Sequence, residues 1–319
     1  MLLNDSLTIT PIIFKRTLKL IAHRFEINVV ADEEDEGWAN NCIDAAIDEI
    51  QRTEQLLTTP GNTSQINLIN TNAGVKPVKV HREIFDITQR SIKIAELTQG
   101  AFDISYGAIH KRLWGFKRSI KALTDEKFLK RTGRLINYSK IILDKESSTV
   151  FLKDKRMRIG FDAIVKSYAI ERAKYILKQN GVESGVINAG DDSTAWGYQP
   201  GGKHWTIGAA HSNNMHVLFS YLNITDKTVA TLRNYERPVL INGKEYSHTI
   251  NQKTGMPLRG IKSVTVIGPN ATIAAALSAA VFSMGITAGL DMINQLKNMA
   301  CIIIDEHDRI HTSKNINLP

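Results

Sequence analysis

Cysteine is almost absent from this chain: two in 319 residues, Cys42 and Cys301, both in apolar surroundings. Two isolated thiols exclude a disulfide framework and a thiolate metal cluster, and read as buried small hydrophobes. The sequence also lacks any uninterrupted apolar run of about 18 residues, the length a membrane-spanning helix needs. The opening MLLNDSLTITPIIFKRTLKL has no basic start, continuous apolar stretch and small-residue cleavage site, so no signal peptide is read there. A cytoplasmic location is expected from this, or an exported, periplasmic one if a leader has been trimmed away. Acidic residues are the minority charge, 32 against 40 lysines and arginines, a net +8. The basic residues are dispersed, as in KRSIKALTDEKFLKRTGR, and no helix-turn-helix, zinc-finger or RNP-like aromatic motif accompanies them. A nucleic-acid partner is therefore not read; a solvated basic face serves an anionic small ligand equally well.

Forty-three per cent hydrophobic content over this length supports a substantial core. The organising stretch runs from Arg156 to Gly197. Ile164, Val165, Tyr168, Ala169, Ala173, Ile176 and Leu177 recur at helical spacing, with Lys166, Glu171, Lys174 and Lys178 on other faces where water reaches them. Gly181 suits the left-handed position that ends a helix. Gly185-Val186-Ile187 reads as a strand that Asn188-Ala189-Gly190-Asp191-Asp192 breaks. The loop Gly160-Phe161-Asp162-Ala163 feeds the helix start, where free N–H groups and the helix dipole favour an anion such as a phosphate.

Around this unit, the alternation of Phe25, Ile27 and Val29 with polar neighbours predicts a half-buried strand within residues 15–31. Residues 41–57 and 83–97 predict amphipathic helices, with a short helical turn around Ile66 and Ile69. Strands at 140–144 and 149–153 flank a four-residue turn and predict a hairpin. Trp205–Gly208 and Val217–Ile224 read as strands of a meander. Residues 270–285 predict a buried helix ended by Gly285, and ACIIIDEHDRIHTS a final strand and turn.

Several segments together resemble the ApbE family of FAD:protein FMN transferases: GAFDIS at 100–105 with LWGF at 113–116, GFDAIVKSYAIERA, VINAGDDSTAWG, VATLRNYERP, EYSHTINQKTGMP, SVTVIG and the alanine-rich NATIAAALSAAVFSMG. The family's counterparts are a Gly-Ala-Phe-Asp segment, a Lys-Gly-Tyr-Ala helix, Asn-Ala-Gly-Gly-Asp, Val-Ala-Thr-Ser-Gly-Asp-Tyr and a helix with Ala-Asp-Ala-x-x-Thr. The resemblance covers residues 15–316, read as one domain after an extension at 1–14. It implies an α+β fold of the tunnelling type, antiparallel sheets packed with helices in two related halves. It implies FAD as substrate, Mg²⁺, and transfer of FMN to a threonine or serine of a partner flavoprotein. Many relatives are exported lipoproteins, but no lipobox-like cysteine is found near the start here.

Residue by residue, the resemblance implies a flavin contact at the turn containing Ile21, and nucleotide contacts from Ala101, Phe102, Asp103, Gly160, Lys166, Asn188 and Thr249. Taken alone, Asp103 reads as a cap for the next helical turn; the combined GAFDIS and LWGF strings favour the nucleotide contact. His248 is the candidate catalytic or phosphate-binding group, since imidazole exchanges protons near neutral pH; a histidine that only ties its loop down carries equal weight. The implied metal positions are the carbonyl of Ala163 and, on the alanine-rich helix, Ala275 and Ala279, where the family has aspartate and threonine, with Ser278 the hydroxyl between them. Leu232-Arg233-Asn234 stands where the family has Ser-Gly-Asp. Two functions stay open on the sequence: the transferase, and a catalytically inactive paralogue that keeps the fold as a flavin-binding or protein-interaction module.

Overall fold

The computed structural model describes residues 11–58, 64–106, 134–206, 223–234, 239–241, 244–246 and 260–316. Its main element is an eight-stranded antiparallel sheet that divides into two halves of like construction. In the first half, β1 (Pro11–Leu20) and β2 (His23–Asp32) form a hairpin, helices follow, and β6 (Gly185–Ala189) and β7 (Asp192–Trp196) return as a second hairpin. The inserted helices include α1 (Glu36–Thr58), α2 (Gln65–Thr71), α3 (Arg82–Leu97) and α4 (Val165–Gln179). In the second half, β8 (Thr228–Arg233) pairs with β11 (Ile261–Gly268). Helices α5 (Ala271–Met284) and α6 (Ile286–Asn294) follow, and β12 (Ala300–Asp305) and β13 (Ile310–Thr312) close the sheet. The sheet order is β1-β2-β6-β7-β8-β11-β12-β13. The expected α+β architecture, antiparallel sheets backed by helices in two related halves, is what the chain builds.

A smaller sheet of β3 (Val78–Lys79), β5 (Thr149–Leu152) and β4 (Ile141–Asp144) lies apart from the large one, and β9 (Val239–Ile241) pairs with β10 (Lys244–Tyr246). The β4–β5 hairpin has the predicted four-residue loop, with Asp144 opposite Thr149. Pro11 already pairs with Asp32, so residues 11–14 belong to the large sheet.

Strand alternation sends Phe25, Ile27, Val29, Ile187, Ala230, Val264 and Val266 to one face, where they are buried with Ile43, Ala46 and Ile50 of α1, Ala169, Ala173 and Leu177 of α4, and Leu277 and Ala280 of α5. Each such buried aliphatic side chain contributes about 1.5–3 kcal/mol. The opposite face carries a smaller cluster of Val186, Ala195, Trp205, Ile224, Val229 and Ile267. Thr206 and Asn223 form a bridge beside it; the rest of the expected 205–224 meander beyond these residues, like 113–116, lies outside the described residues.

Three expectations for α4 are corrected, the first for Lys166, whose side chain is 17% exposed and pairs with Asp192. Lys174 is not on a wet face: its amine donates to Ala195 O at 3.2 Å and lies 5.6 Å from the Trp196 ring, and burial lowers its pKa. Glu171 is half-buried and accepts from Thr272 Oγ1 at 2.5 Å, tying α4 to the start of α5.

The two halves meet where β7 pairs with β8, and this seam is short. Only Ser193 with Val229 and Thr194 with Thr228 are in register. Beyond Ser193 the ladder opens, and the site is built there.

Candidate functional site

The open seam leaves the Thr231 N–H without a strand partner, and the carboxylate of Asp192 accepts it, Oδ1 at 3.1 Å. A buried donor must find an acceptor, and here a side chain replaces the ladder. The same carboxylate accepts Ser167 Oγ at 2.5 Å and pairs with Lys166 Nζ at 3.3 Å. Ser167 and Lys166 lie in the first turn of α4, which has no side-chain cap. The turn before it is closed by Ile164 and Val165 N–H groups donating to Phe161 O, each at 2.8 Å. Asp192 thus joins the helix, its own strand and β8 at one point.

Next to it, Gly190 and Asp191 make the β6–β7 turn. Gly190 has φ +58°, and a Cβ built there would lie 3.4 Å from His23 Nδ1 and 3.8 Å from Lys166 Nζ. Glycine takes this left-handed shape without strain, and the nearest side-chain atoms are those of an imidazole and an amine. Asp191 pairs with Arg233, the last residue of β8, at 2.8 Å. Lys166 and Arg233 are therefore tied to one turn by two consecutive acids, and His23 lies against its glycine.

The β1–β2 turn supplies the neighbouring wall. Ile21 and Ala22 both take positive φ, +50° and +59°, the backbone signature of a two-residue type I′ hairpin turn. A β-branched residue adopts this shape at a cost of order 1 kcal/mol or more, and Ile21 is held in it by burial in the core. Gly190 N donates to Arg24 O at 3.2 Å, so this turn and the β6–β7 turn are fastened together.

The 101–106 segment meets the 160–164 loop through Gly160 N and Ile104 O, 2.9 Å apart. Ala101 and Phe102 bury their side chains in the core, which leaves their backbone for any ligand contact. Asp103 is the turn cap that its position allowed: Oδ1 accepts Ser105 N at 2.8 Å and Ser105 Oγ at 2.7 Å, and Oδ2 accepts Tyr138 N at 2.8 Å. Burial raises its pKa, with these hydrogen bonds opposing. Tyr106 ends the segment with a phenol raised first by burial and second by Asp162, against a lowering backbone contact from Ala163.

Asn188 donates to Glu26 Oε1 at 3.4 Å. It shares a sheet face with Val186, in the smaller cluster opposite the helices, one strand position before Ala189. His248 and Thr249 lie outside the described residues; the chain on either side of them is anchored by Asn234 N donating to Lys262 O at 2.8 Å.

The implied magnesium positions do not make a magnesium donor set. Ala163 is exposed and offers its carbonyl. Ala275 and Ala279 present methyl groups, and Ser278 Oγ is turned back to donate to Ala275 O at 2.8 Å. Magnesium takes hard oxygen ligands in near-octahedral order. Among the described residues, no three His, Cys, Asp or Glu side chains converge as a metal group.

Asp192, Ser167, Thr231, His23 and Arg233 went unread as site residues. The signal available was the pair of acids directly after a short buried strand; their partners come from 25 to 42 residues away and leave no local mark.

The match to the ApbE family spans residues 22–303. The chain is 28% identical over 260 residues to an FAD:protein FMN transferase of Klebsiella pneumoniae, covering 81% of this chain and 80% of that protein. It is 26% identical over 296 residues to one of Treponema pallidum, covering 86% and 81%. Its fold superposes on the ApbE protein of Thermotoga maritima with a TM-score of 0.82 at 25% identity, covering 95% of this chain and 97% of that one. The Pseudomonas stutzeri flavinyl transferase ApbE in its apo form gives a TM-score of 0.81 at 18% identity, covering 96% of each chain. With a match that runs from the β1–β2 turn into β12, and with the same fold throughout, this chain belongs to the ApbE family.

Proposed function

We propose that this chain is an FAD:protein FMN transferase: it binds FAD and passes FMN to a threonine or serine hydroxyl of a partner flavoprotein. The observation that carries this reading is the match to proteins of that name over four-fifths of both chains. The site's chemistry agrees with it. In the reaction, the acceptor hydroxyl oxygen attacks the riboflavin-side phosphorus of FAD. The bond to the bridging oxygen breaks, AMP departs with that oxygen, and the hydroxyl proton goes to a base. Lys166, held half-buried by Asp192, brings a positive charge beside Gly190, where a phosphate is stabilised electrostatically. The start of α4 has no side-chain cap, and its N–H groups after Val165 add the same polarity. His248 takes the acceptor's proton. The described donor set does not fit magnesium, so the protein's own cations face the diphosphate.

The methyl groups at Ala275 and Ala279 are the observation behind a second reading, a flavin-binding or protein-interaction module without turnover. One experiment separates the two: titrate the protein with FAD, then add a flavoprotein acceptor and follow AMP release and the acceptor's mass. FAD binding with AMP release and an acceptor heavier by FMN is the expected result. Binding without either product gives the module. No FAD binding overturns the transferase and leaves the protein-interaction module.

A further inference from the structure

Two ion pairs at the β6–β7 turn look alike in sequence and differ in burial. Asp192, 4% exposed in its side chain, is locked by Lys166, Ser167 and the Thr231 amide. Asp191 is 39% exposed, while its partner Arg233 is 10% exposed. In this second pair the cation is sunk into the end of the sheet and its counter-ion faces water. The acid is therefore the partner that can leave. Arg233 ends β8, past the point where β7 and β8 stop pairing, and its contact with Asp191 holds its guanidinium against the β6–β7 turn, whose Gly190 has His23 and Lys166 as its nearest side chains.

We infer that Arg233 is a further anion-binding residue of this site, and that Asp191 is its exchangeable counter-ion, displaced when a phosphate group of the ligand arrives. The inference rests on the reading of FAD as substrate. A guanidinium presents the same donor fork to a carboxylate and to a phosphate, so one can replace the other without rebuilding the pocket. Asp191 offsets part of the cost of sinking this cation into the sheet end. The assignment also supplies positive charge to a diphosphate from the protein, in a chain whose described residues offer magnesium no cage.

The two partners give opposite signs. Arg233→Ala should weaken FAD about tenfold or more, the worth of one charge-assisted hydrogen bond, and leave riboflavin, which has no phosphate, unchanged. Arg233→Lys should fall between, as a point charge without the fork. Asp191→Asn should bind FAD as tightly as the parent or tighter, because the competing carboxylate is gone. All three are titrated by flavin fluorescence in EDTA, with a thermal melt to confirm folding. The inference is overturned if Asp191→Asn loses FAD affinity in step with Arg233→Ala, or if Arg233→Ala weakens riboflavin as much as FAD; either outcome makes the pair a structural clamp. It is also overturned if the parent binds FAD only when Mg²⁺ is supplied, a result that leaves the transferase reading standing. A parent that binds no FAD in either condition removes the functional reading itself.

Discussion

Ser167 donates its hydroxyl to Asp192 at 2.5 Å, a bond between the first turn of α4 and the first residue of β7. Both side chains are buried, and the other carboxylate oxygen takes Lys166 and the Thr231 amide. One acid thus sets the position of the helix against the seam between the two halves.

Replacing Asp192 with alanine strands a half-buried ammonium and a backbone N–H. The expected loss of stability is about 3 kcal/mol, from removing one partner of a buried pair and leaving its donors unmet. Asp192→Asn keeps an acceptor and should lose less. Urea denaturation measures both; a loss below about 0.5 kcal/mol for the alanine variant would place Asp192 among ordinary surface acids.

A second polar network fastens α1, α3 and α4. Arg52 bridges Glu49, at 2.7 Å, and Glu83, at 2.8 Å; Arg172 reaches Glu49 at 2.7 Å, and Tyr168 donates to Glu83 at 2.7 Å. The Arg52 hydrogen bond lowers Glu49 below the ordinary 4.5. Glu83 is pushed up by burial, but Arg52 and Tyr168 outweigh that, and it too lies below 4.5. Both folded values being depressed, the unfolded chain binds more protons on acidification. The stabilisation is complete above about 4.5 and drains away as pH falls through the folded values. Denaturation between about pH 3 and 6 should show stability rising with pH, and Glu83→Gln should flatten the slope. An unchanged slope would mean that the glutamates titrate alike in both states.

Legibility in the sequence follows the range of the forces. Helices α1, α3 and α4 were readable because one face of each is buried and burial writes a period into the chain, and α5 because it is apolar nearly all round. The β4–β5 hairpin was readable from its turn. The β1–β2 hairpin was read as one strand region because Ile21-Ala22 carries no Asn-Gly signal; the core holds Ile21 in a shape that its own preference opposes. Lys174 was misplaced because a lysine stem can lie over Trp196 while the amine reaches Ala195 O, a choice made by tertiary packing. The site failed to read for the same reason. Asp191 and Asp192 are adjacent in sequence, but what they hold comes from β8 and α4.

Gly185 tests the packing behind the β6–β7 turn. A Cβ there would lie 2.7 Å from Asn28 O and 2.8 Å from two atoms of the Trp196 ring. Asn28 is opposite Val186 in the register with β2, so the backbone cannot retreat without breaking that ladder. Trp196 is itself fixed by Nε1 donating to Val182 O at 3.0 Å. Gly185→Ala should cost about 1–3 kcal/mol by overpacking, seen as a lowered melting temperature. A neutral result would show that the indole can swing aside.

Ala275 and Ala279 decide how this chain relates to a metal. They are one helical turn apart on α5, where side chains at that spacing share a face. An aspartate at 275 alone would place a charge in a buried, all-apolar turn and should lower stability by a few kcal/mol. Threonine at 279 adds a hydroxyl on the same face, and together they restore two of the oxygens that the family pattern carries. The variant Ala275→Asp with Ala279→Thr should therefore melt below the parent in EDTA and regain stability with millimolar MgCl₂, by the mass action of an ion that binds only the folded state. The parent should melt at one temperature in both buffers. If Mg²⁺ fails to raise the melting temperature of the double variant, these positions do not face a cation site, and the register assigned to α5 is wrong. If Mg²⁺ raises the parent as well, a donor set other than these three α5 residues and Ala163 holds the ion, and the case for protein cations at the diphosphate loses its ground.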